Sequence, residues 1–373
     1  MHGLFARLLP LGAAAALFLA PAFAADESFD RGTHGVIELE TGDTAGIAGQ
    51  IAADLAALLD DGATRRVVPV LGDGALQNIV DLKLLHGIDA AIVEADALDY
   101  ARQQKLIAGV ESLTYIARLY NEEFHLLARA DIKTVADLAG KTVNVGPPTG
   151  STQVTAQKFF AALGVAVTMT SDPTDVALAK LAHGDIDAVA LVAAKPAPLL
   201  RAADAPGLHF LSVPLKAPLT QTYAPTRLTA KDYPGLIGED APVDTIAVGT
   251  VLMAANLQQG SERYRNLVNF TEALFTQFPT LIEPGHNAKW REVNLAADLP
   301  GWHRFAPAEQ WLAQNAPVAQ QQNVVPQDMK AVFERFLDER LKAMGSDMSQ
   351  QQKDELFGQF ERWQTQAAST GTR

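Results

Sequence analysis

Three acidic residues stand directly after strand-like runs in the first third of the chain. Asp43 and Asp73 lie in Gly-containing turns, and Glu94 follows the apolar run 88–93. Because the carboxyl ends of parallel strands share one edge of a sheet, we expect these carboxylates near one ligand face. A carboxylate there can bind an ammonium group. It disfavours a ligand that carries only negative charge, since like charges repel strongly in a low-dielectric cleft.

A purely structural role accounts for the same residues. Asp43 and Asp73 are also suited to cap the helices that follow them. Glu94 can instead pair with a neighbour such as Arg102 or Arg118. The sequence leaves these alternatives open.

A second chemical feature is the loop 149–152, Thr-Gly-Ser-Thr, which opens a helix after the strand-like run 142–145. The first N–H groups of a helix lack acceptors, and this end of the helix carries a partial positive charge, so the loop is suited to bind a carboxylate. Lys195 follows the last strand of the same half and can contact a ligand or remain in solvent. An acidic face opposite such a loop would select an amino acid or a similar zwitterion.

The sequence offers no catalytic or metal-binding constellation. Its eight His residues are dispersed, it has no Cys, and it contains neither a Gly-x-Ser-x-Gly nor a His-Glu-x-x-His motif. The loop 146–152 lacks the Lys of a phosphate-binding loop, which argues against a nucleotide. A net charge of -13 argues against nucleic acid and anionic membrane surfaces as partners. We therefore expect a binding protein and not an enzyme, with no cofactor and no metal.

A short sequence motif that occurs twice indicates which elements position these residues. The segment 84–93 is echoed by the segment 181–192, and each reads as a helix end, a Gly stop and an Asp-Ala step into an apolar strand. A strand-like run and a Gly turn that opens a helix precede each copy. Alternating strands and helices predict an α/β fold with two equivalent lobes, each with a mainly parallel sheet.

Two long extended runs are suited to join the lobes. They are 115–128, which crosses to the second lobe, and 245–253, which returns. The predicted domains are a first lobe of 25–125 plus 246–303, a second lobe of 126–245, and a C-terminal helical extension of 304–373. The extension carries apolar stripes at 329–344 and 356–363, which indicate either a helical hairpin packed on the first lobe or a docking surface for a partner.

Residues 1–24 have the pattern of a signal peptide. They contain one basic residue, Arg7, an apolar run at 8–19, and the small-x-small triplet Ala22-Phe23-Ala24. We expect export, cleavage after Ala24, and a soluble monomer that begins at Ala25.

Several motifs resemble those of the TAXI-type solute-binding subunits of TRAP (tripartite ATP-independent periplasmic) transporters. They are the run 137–146, the loop 149–152, Gly184-x-x-Asp187-Ala188 and Tyr233-Pro234-Gly235, within a resemblance that covers about residues 34–300. The resemblance implies a two-lobed periplasmic binding protein fold of type II, with hinge strands. It also implies a periplasmic receptor that closes on a small organic solute and delivers it to integral-membrane permease subunits. We expect a carboxylate-bearing solute, either an amino acid or a dicarboxylate. A periplasmic ligand sensor or accessory protein, and the binding protein of an ABC-type importer, are alternatives.

The chain departs from the TAXI pattern in its first three loops. The turn 41–48 has no aromatic residue, the second loop reads Leu-Gly-Asp-Gly where Ser-Gly-Gly-Ser is usual, and Glu94-Ala95-Asp96 replaces a common Gln-Ser-Asp phrase. The departures add acidic residues to the expected ligand face. The predicted ligand contacts are Asp43, Thr44, Ala45, Asp73, Gly74, Glu94, Thr149, Gly150, Ser151, Thr152, Asp187 and Lys195.

Overall fold

The computed structural model describes residues 35–42, 46–201, 207–220, 222–315 and 349–354. Three groups of predictions lie outside these residues: the signal peptide 1–24, the ligand contacts Asp43, Thr44 and Ala45, and the apolar stripes at 329–344 and 356–363. None of the helices in the described ranges is both long enough and apolar enough to cross a membrane.

Strands and helices alternate as the sequence predicts. The strands are β1 (Val36–Thr41), β2 (Arg66–Leu71), β3 (Ile88–Glu94), β4 (Thr114–Ala128), β5 (Thr142–Asn144), β6 (Thr168–Thr170), β7 (Ala188–Ala193), β8 (His209–Phe210), β9 (Ala224–Leu228) and β10 (Val243–Ala254). The helices are α1 (Ile47–Leu59), α2 (Ala75–Leu84), α3 (Ala95–Gln103), α4 (Ser151–Leu163), α5 (Thr174–His183), α6 (Pro198–Arg201), α7 (Ala217–Thr220), α8 (Glu262–Leu281) and α9 (Ala306–Gln314). Short 3-10 helices span Val110–Ser112, Val135–Leu138 and Ala288–Glu292.

The strands form one sheet in the order β2-β1-β3-β10-β4-β7-β5-β6. We call β1–β3 with their helices the first lobe and β5–β7 with theirs the second lobe. Pairing is parallel within each lobe and antiparallel wherever β4 or β10 takes part. The α/β fold with two lobes and two crossing strands is confirmed. The doubled phrase corresponds to β3 and β7, which hold equivalent places in the two lobes.

Each lobe has its own apolar layers on the two faces of the sheet. In the first lobe α1 and α8 cover one face and α2 and α3 cover the other. In the second lobe the layers involve α4 and α5. Along β4 the change of lobe falls between Tyr120, which packs in the first lobe, and Phe124, which packs in the second. The exact domain bounds given by the sequence stay a prediction.

Glycines occupy the N-cap positions of the two helices for which the sequence suggests Asp as a possible cap. The N-cap of α1 is Gly46 and that of α2 is Gly74, and neither helix has a side-chain cap hydrogen bond. The alternative in which Asp73 caps α2 is therefore wrong, whereas Asp43 lies outside the described residues. An N-cap Gly supplies no side-chain acceptor, so such a helix start remains able to bind an outside acceptor.

Candidate ligand site

The loops at the carboxyl ends of the strands bring the two lobes into direct contact. Thr149 Oγ1 donates to the carbonyl oxygen of Asp73 at 2.7 Å, and the N–H of Leu76 donates to the carbonyl oxygen of Thr149 at 3.0 Å. Gly74 has a φ of +116°, and a Cβ there would lie 2.8 Å from Thr149 O and 2.9 Å from the Cα of Gly150. Only glycine fits this position. The structure therefore brings together Asp73, Gly74, Thr149 and Gly150, as predicted for one site.

Glu94 joins the end of β3 to the start of α4. Ser151 Oγ donates to Glu94 Oε1 at 2.7 Å. Burial raises the pKa of Glu94 above its usual value. Neither arginine considered as a partner binds it: Arg102 donates to Asp99 and to a backbone carbonyl, and Arg118 donates to the carbonyl of Asp298.

A second carboxyl group, that of Glu122 on β4, lies against Glu94. Burial, followed by the charge of Glu94, raises the pKa of Glu122 well above its usual value. A hydrogen bond between two carboxyl groups requires a proton, which the two residues share as a pair. Tyr120 OH lies 3.4 Å from Glu122 Oε1. The structure thus places two carboxyl groups together at the ligand edge of the first lobe.

Asp96, two residues beyond Glu94, makes further contacts between the lobes. Its Oδ2 accepts from Thr155 Oγ1 at 2.7 Å and from Tyr223 OH at 2.8 Å, while Lys158 Nζ donates to its backbone oxygen at 3.0 Å. Asp96 is 3% exposed. Burial raises its pKa, and burial followed by the Asp96 charge raises the pKa of Tyr223. Sequence reasoning named Asp96 as part of an acidic phrase but did not place it in the site.

The start of α4 is held from two sides. Its N-cap, Gly150, has no side-chain cap hydrogen bond. Thr152 is buried, and its hydroxyl oxygen accepts from the N–H of Val192 on β7 at 2.9 Å. Ser151 reaches Glu94, as described above. The first N–H groups of α4 therefore stand beside two anchored hydroxyl side chains, an arrangement suited to a carboxylate.

Asp187 and Lys195, both predicted as ligand contacts, have partners elsewhere. Asp187 precedes β7, accepts from the N–H of Thr142 at 2.8 Å and pairs with Arg129 at 2.8 Å. The ammonium group of Lys195 donates to the carbonyl of Arg227 on β9. The structure does not bring these two side chains to the loop 149–152.

A carboxyl group that sequence reasoning missed lies under α2. Glu40 is 3% exposed, and burial, with the charges of Asp81 and Asp73, raises its pKa to about 7. Among the described residues its Oε2 has no hydrogen-bond partner, and neither does Oδ1 of Asn78 nearby. Glu40 is the last but one residue of β1, where a period-two strand pattern places it opposite the apolar side chains.

Glu123 is the point at which β4 is tied to both lobes. Lys289 Nζ, from the first lobe, donates to Glu123 Oε1 at 3.1 Å, and the N–H of Lys195, from the second lobe, donates to its Oε2 at 2.7 Å. Lys289 also pairs with Glu292 at 2.9 Å. Burial raises the pKa of Glu123, which is 2% exposed. In the described part of the chain no group of three or more His, Asp or Glu side chains is placed to hold a metal ion.

The comparison with family models covers the part of the chain that builds this site. The model of the NMT1-like family matches residues 40–298, more than half of the chain. The chain belongs to the NMT1-like family. The match takes in both crossing strands and all of both lobes except most of β1, and every residue described above for the site lies within it.

Solved structures similar to this NMT1-like protein include three binding proteins. They are the periplasmic aliphatic sulphonate binding protein SsuA from Escherichia coli (19% identity, TM-score 0.41, 79% of this chain and 89% of that chain covered), the periplasmic binding protein BugD (15%, 0.45, 78% and 98%) and an ABC uptake transporter substrate binding protein from Streptococcus pneumoniae with bound histidine (14%, 0.42, 69% and 92%). All three are distant likenesses, and nothing about the ligand of this chain follows from them.

Proposed function

We propose that this protein is an exported receptor that binds a small carboxylate-bearing organic solute between its two lobes and delivers it to a membrane transporter. The observation that carries the proposal is the meeting of the α4 start with the loops that end β2 and β3. A helix start without a side-chain cap suits a carboxylate, and the Glu94–Glu122 pair opposite it suits an ammonium group. An amino acid meets both demands, whereas a dicarboxylate meets only the first.

The finer assignment is that of a TAXI-type receptor in the periplasm that works with TRAP permease subunits. It is supported by the motifs at 137–146, 149–152 and 233–235 and by the signal-peptide pattern of residues 1–24. The proposed role is binding without catalysis, and binding a solute requires neither a nucleophile nor a metal. An ABC-type importer would use the same receptor chemistry with a different membrane partner, and a sensor would present it to a signalling protein.

A thermal-shift screen of the purified mature chain with amino acids, keto acids and dicarboxylates tests the proposal. A bound solute raises the melting temperature in proportion to the logarithm of its concentration above its Kd. We expect amino acids to give the largest shift. The absence of a shift with all three classes would contradict the proposal. The gene next to this one distinguishes the partners: a multi-span TRAP permease, an ABC permease or a sensor kinase.

A further inference from the structure

The side chains that donate hydrogen bonds to the carboxylate and to the carbonyl of Asp96 come from the second lobe. Asp96 is the second residue of α3, in the first lobe. Thr155 and Lys158 are on α4, whereas Tyr223 precedes β9, so the donors belong to two separate segments of the second lobe. One buried residue thus binds the first lobe to both segments at once.

The donors also account for why this carboxylate can be buried. A buried carboxylate without hydrogen bonds is strongly disfavoured, and here two hydroxyl groups converge on Oδ2. If the lobes separate, Asp96 loses both donors together. Thr155 and Tyr223, which are 1% and 3% exposed, lose their acceptor in the same step. The contact is therefore made or broken as a unit.

Only one carboxylate oxygen is used in this contact. Oδ1 of Asp96 is buried and has no donor among the described residues. An asparagine whose oxygen takes the place of Oδ2 could accept both hydroxyl groups, and its amide would take the place of Oδ1. The hydrogen bonds to Oδ2 are therefore the part of the contact that an asparagine can keep.

We propose that Asp96 is a positioning residue that holds the lobes together through Thr155 and Tyr223 and so sets the fraction of the protein in the form that binds the solute. The consequence for affinity rests on the proposed function, whereas the consequence for the lobes does not. Because a receptor binds its ligand only through the fraction in the competent form, opening the lobes weakens the apparent affinity by the same factor.

The experiment measures the distance between the lobes without any ligand. The chain has no Cys, so two introduced cysteines will be the only sites that carry a thiol-reactive spin label. They replace two exposed alanines, Ala63 in the first lobe and Ala136 in the second. Double electron–electron resonance on this pair gives the distribution of inter-lobe distances. The test variants are Asp96→Ala and the double substitution of Thr155→Val with Tyr223→Phe, which alters the same contact from the other lobe.

Two variants serve as controls. Asp96→Asn keeps the acceptor oxygen. Tyr233→Phe removes a buried hydroxyl group whose partners, His125 and the N–H of Ala197, lie within the second lobe. Both are expected to keep the distance distribution of the unsubstituted chain. Tyr233→Phe should lower stability without opening the lobes, which separates a loss of positioning from a general loss of stability.

We expect both test variants to shift most of the population to a longer distance. A distribution unchanged in the Thr155→Val, Tyr223→Phe chain would overturn the proposal even if Asp96→Ala fails to fold. A long distance already dominant in the unsubstituted chain, or an equal shift in Tyr233→Phe, would overturn it as well. If the solute screen finds no ligand, only the proposed function fails, because the distances do not depend on it.

Discussion

Ser151 Oγ donates to Glu94 Oε1 at 2.7 Å, and this bond places a carboxylate of the first lobe against the helix start of the second. A solute carboxylate that binds at α4 will therefore lie close to a protein carboxyl group. On the proposed function we expect the acidic pair at this edge to discriminate between solutes by their net charge, because like charges repel.

Glu94→Gln should separate solutes that carry an ammonium group from those that do not. The substitution keeps the shape but removes the charge, so affinity for an amino acid should fall by about 2–4 kcal/mol. Affinity for the matched dicarboxylate should stay the same or rise. Calorimetry with amino and des-amino ligands on both proteins measures the difference, with the exposed Glu111→Gln as control. Equal losses of affinity for the two ligand types would show that Glu94 has only a structural role.

Gly74→Ala should prevent the contact between the lobes. The added Cβ would lie within 3 Å of Thr149 O and the Cα of Gly150, so solute affinity should fall roughly tenfold or more, about 1.4 kcal/mol. Gly62→Ala is the matched control, because Gly62 also has a positive φ of +66° but has nothing within 4 Å of the added atom. Backbone strain alone would reduce stability in both variants. Affinity should fall only in Gly74→Ala, and a similar affinity in both would refute the contact.

Thr152→Ala should mainly reduce stability, whereas Ser151→Ala should mainly reduce solute affinity. The sequence alone predicts that Thr152→Ala weakens binding and leaves stability unchanged. The structure shows that its hydroxyl oxygen accepts from the N–H of Val192, so its loss should lower the free energy of unfolding by about 1–3 kcal/mol. Ser151→Ala removes a bond to the other lobe and should reduce solute affinity with a smaller change in stability. Urea unfolding and calorimetry on both variants test this, and identical stability losses would contradict it.

Stability should fall as pH rises towards neutrality because of Glu40. Its pKa is raised from 4.5 to about 7 in the folded protein, so between these values the folded state holds a proton that the unfolded state lacks. The stabilisation is full below the unfolded pKa and is lost as pH rises through 7. Glu40→Gln should remove this dependence and make the protein more stable at pH 8 by about 1–3 kcal/mol. Urea unfolding at pH 5, 6, 7 and 8 measures it, and parallel pH profiles for the two proteins would disprove it.

Export should remove the first 24 residues. The triplet Ala22-Phe23-Ala24 places cleavage before Ala25, so N-terminal sequencing of protein from the periplasmic fraction should begin at Ala25. Substitution of Ala24 by a bulky residue should leave the longer form in the membrane fraction. Met1 on the periplasmic protein would contradict the prediction.

The sequence predicts the strands and helices well because their signals are local. The Gly184 stop after α5, with a φ of +83°, and the capping box of Thr134 and Asp137 both depend on neighbours within a few residues. The contacts of Asp96 do not, since its donors lie 59 to 127 residues further along the chain. Nothing in the phrase Glu94-Ala95-Asp96 shows that the second carboxylate faces Tyr223. Glu40 was missed for a similar reason, because its burial depends on where α2 packs.

Glu123 accepts from Lys289 of one lobe and from the N–H of Lys195 of the other, at the place where β4 passes between them. Separating a buried ion pair is costly. A rotation of the lobes about an axis through Glu123 would keep both of these bonds. Near such a pivot atoms barely move, whereas the tips at Gly74 and Thr149 swing through an arc that grows with their distance from it. On the proposed function, a twist of a few degrees in β4 and β10 would be enough to separate Gly74 from Thr149 and open the space between the lobes.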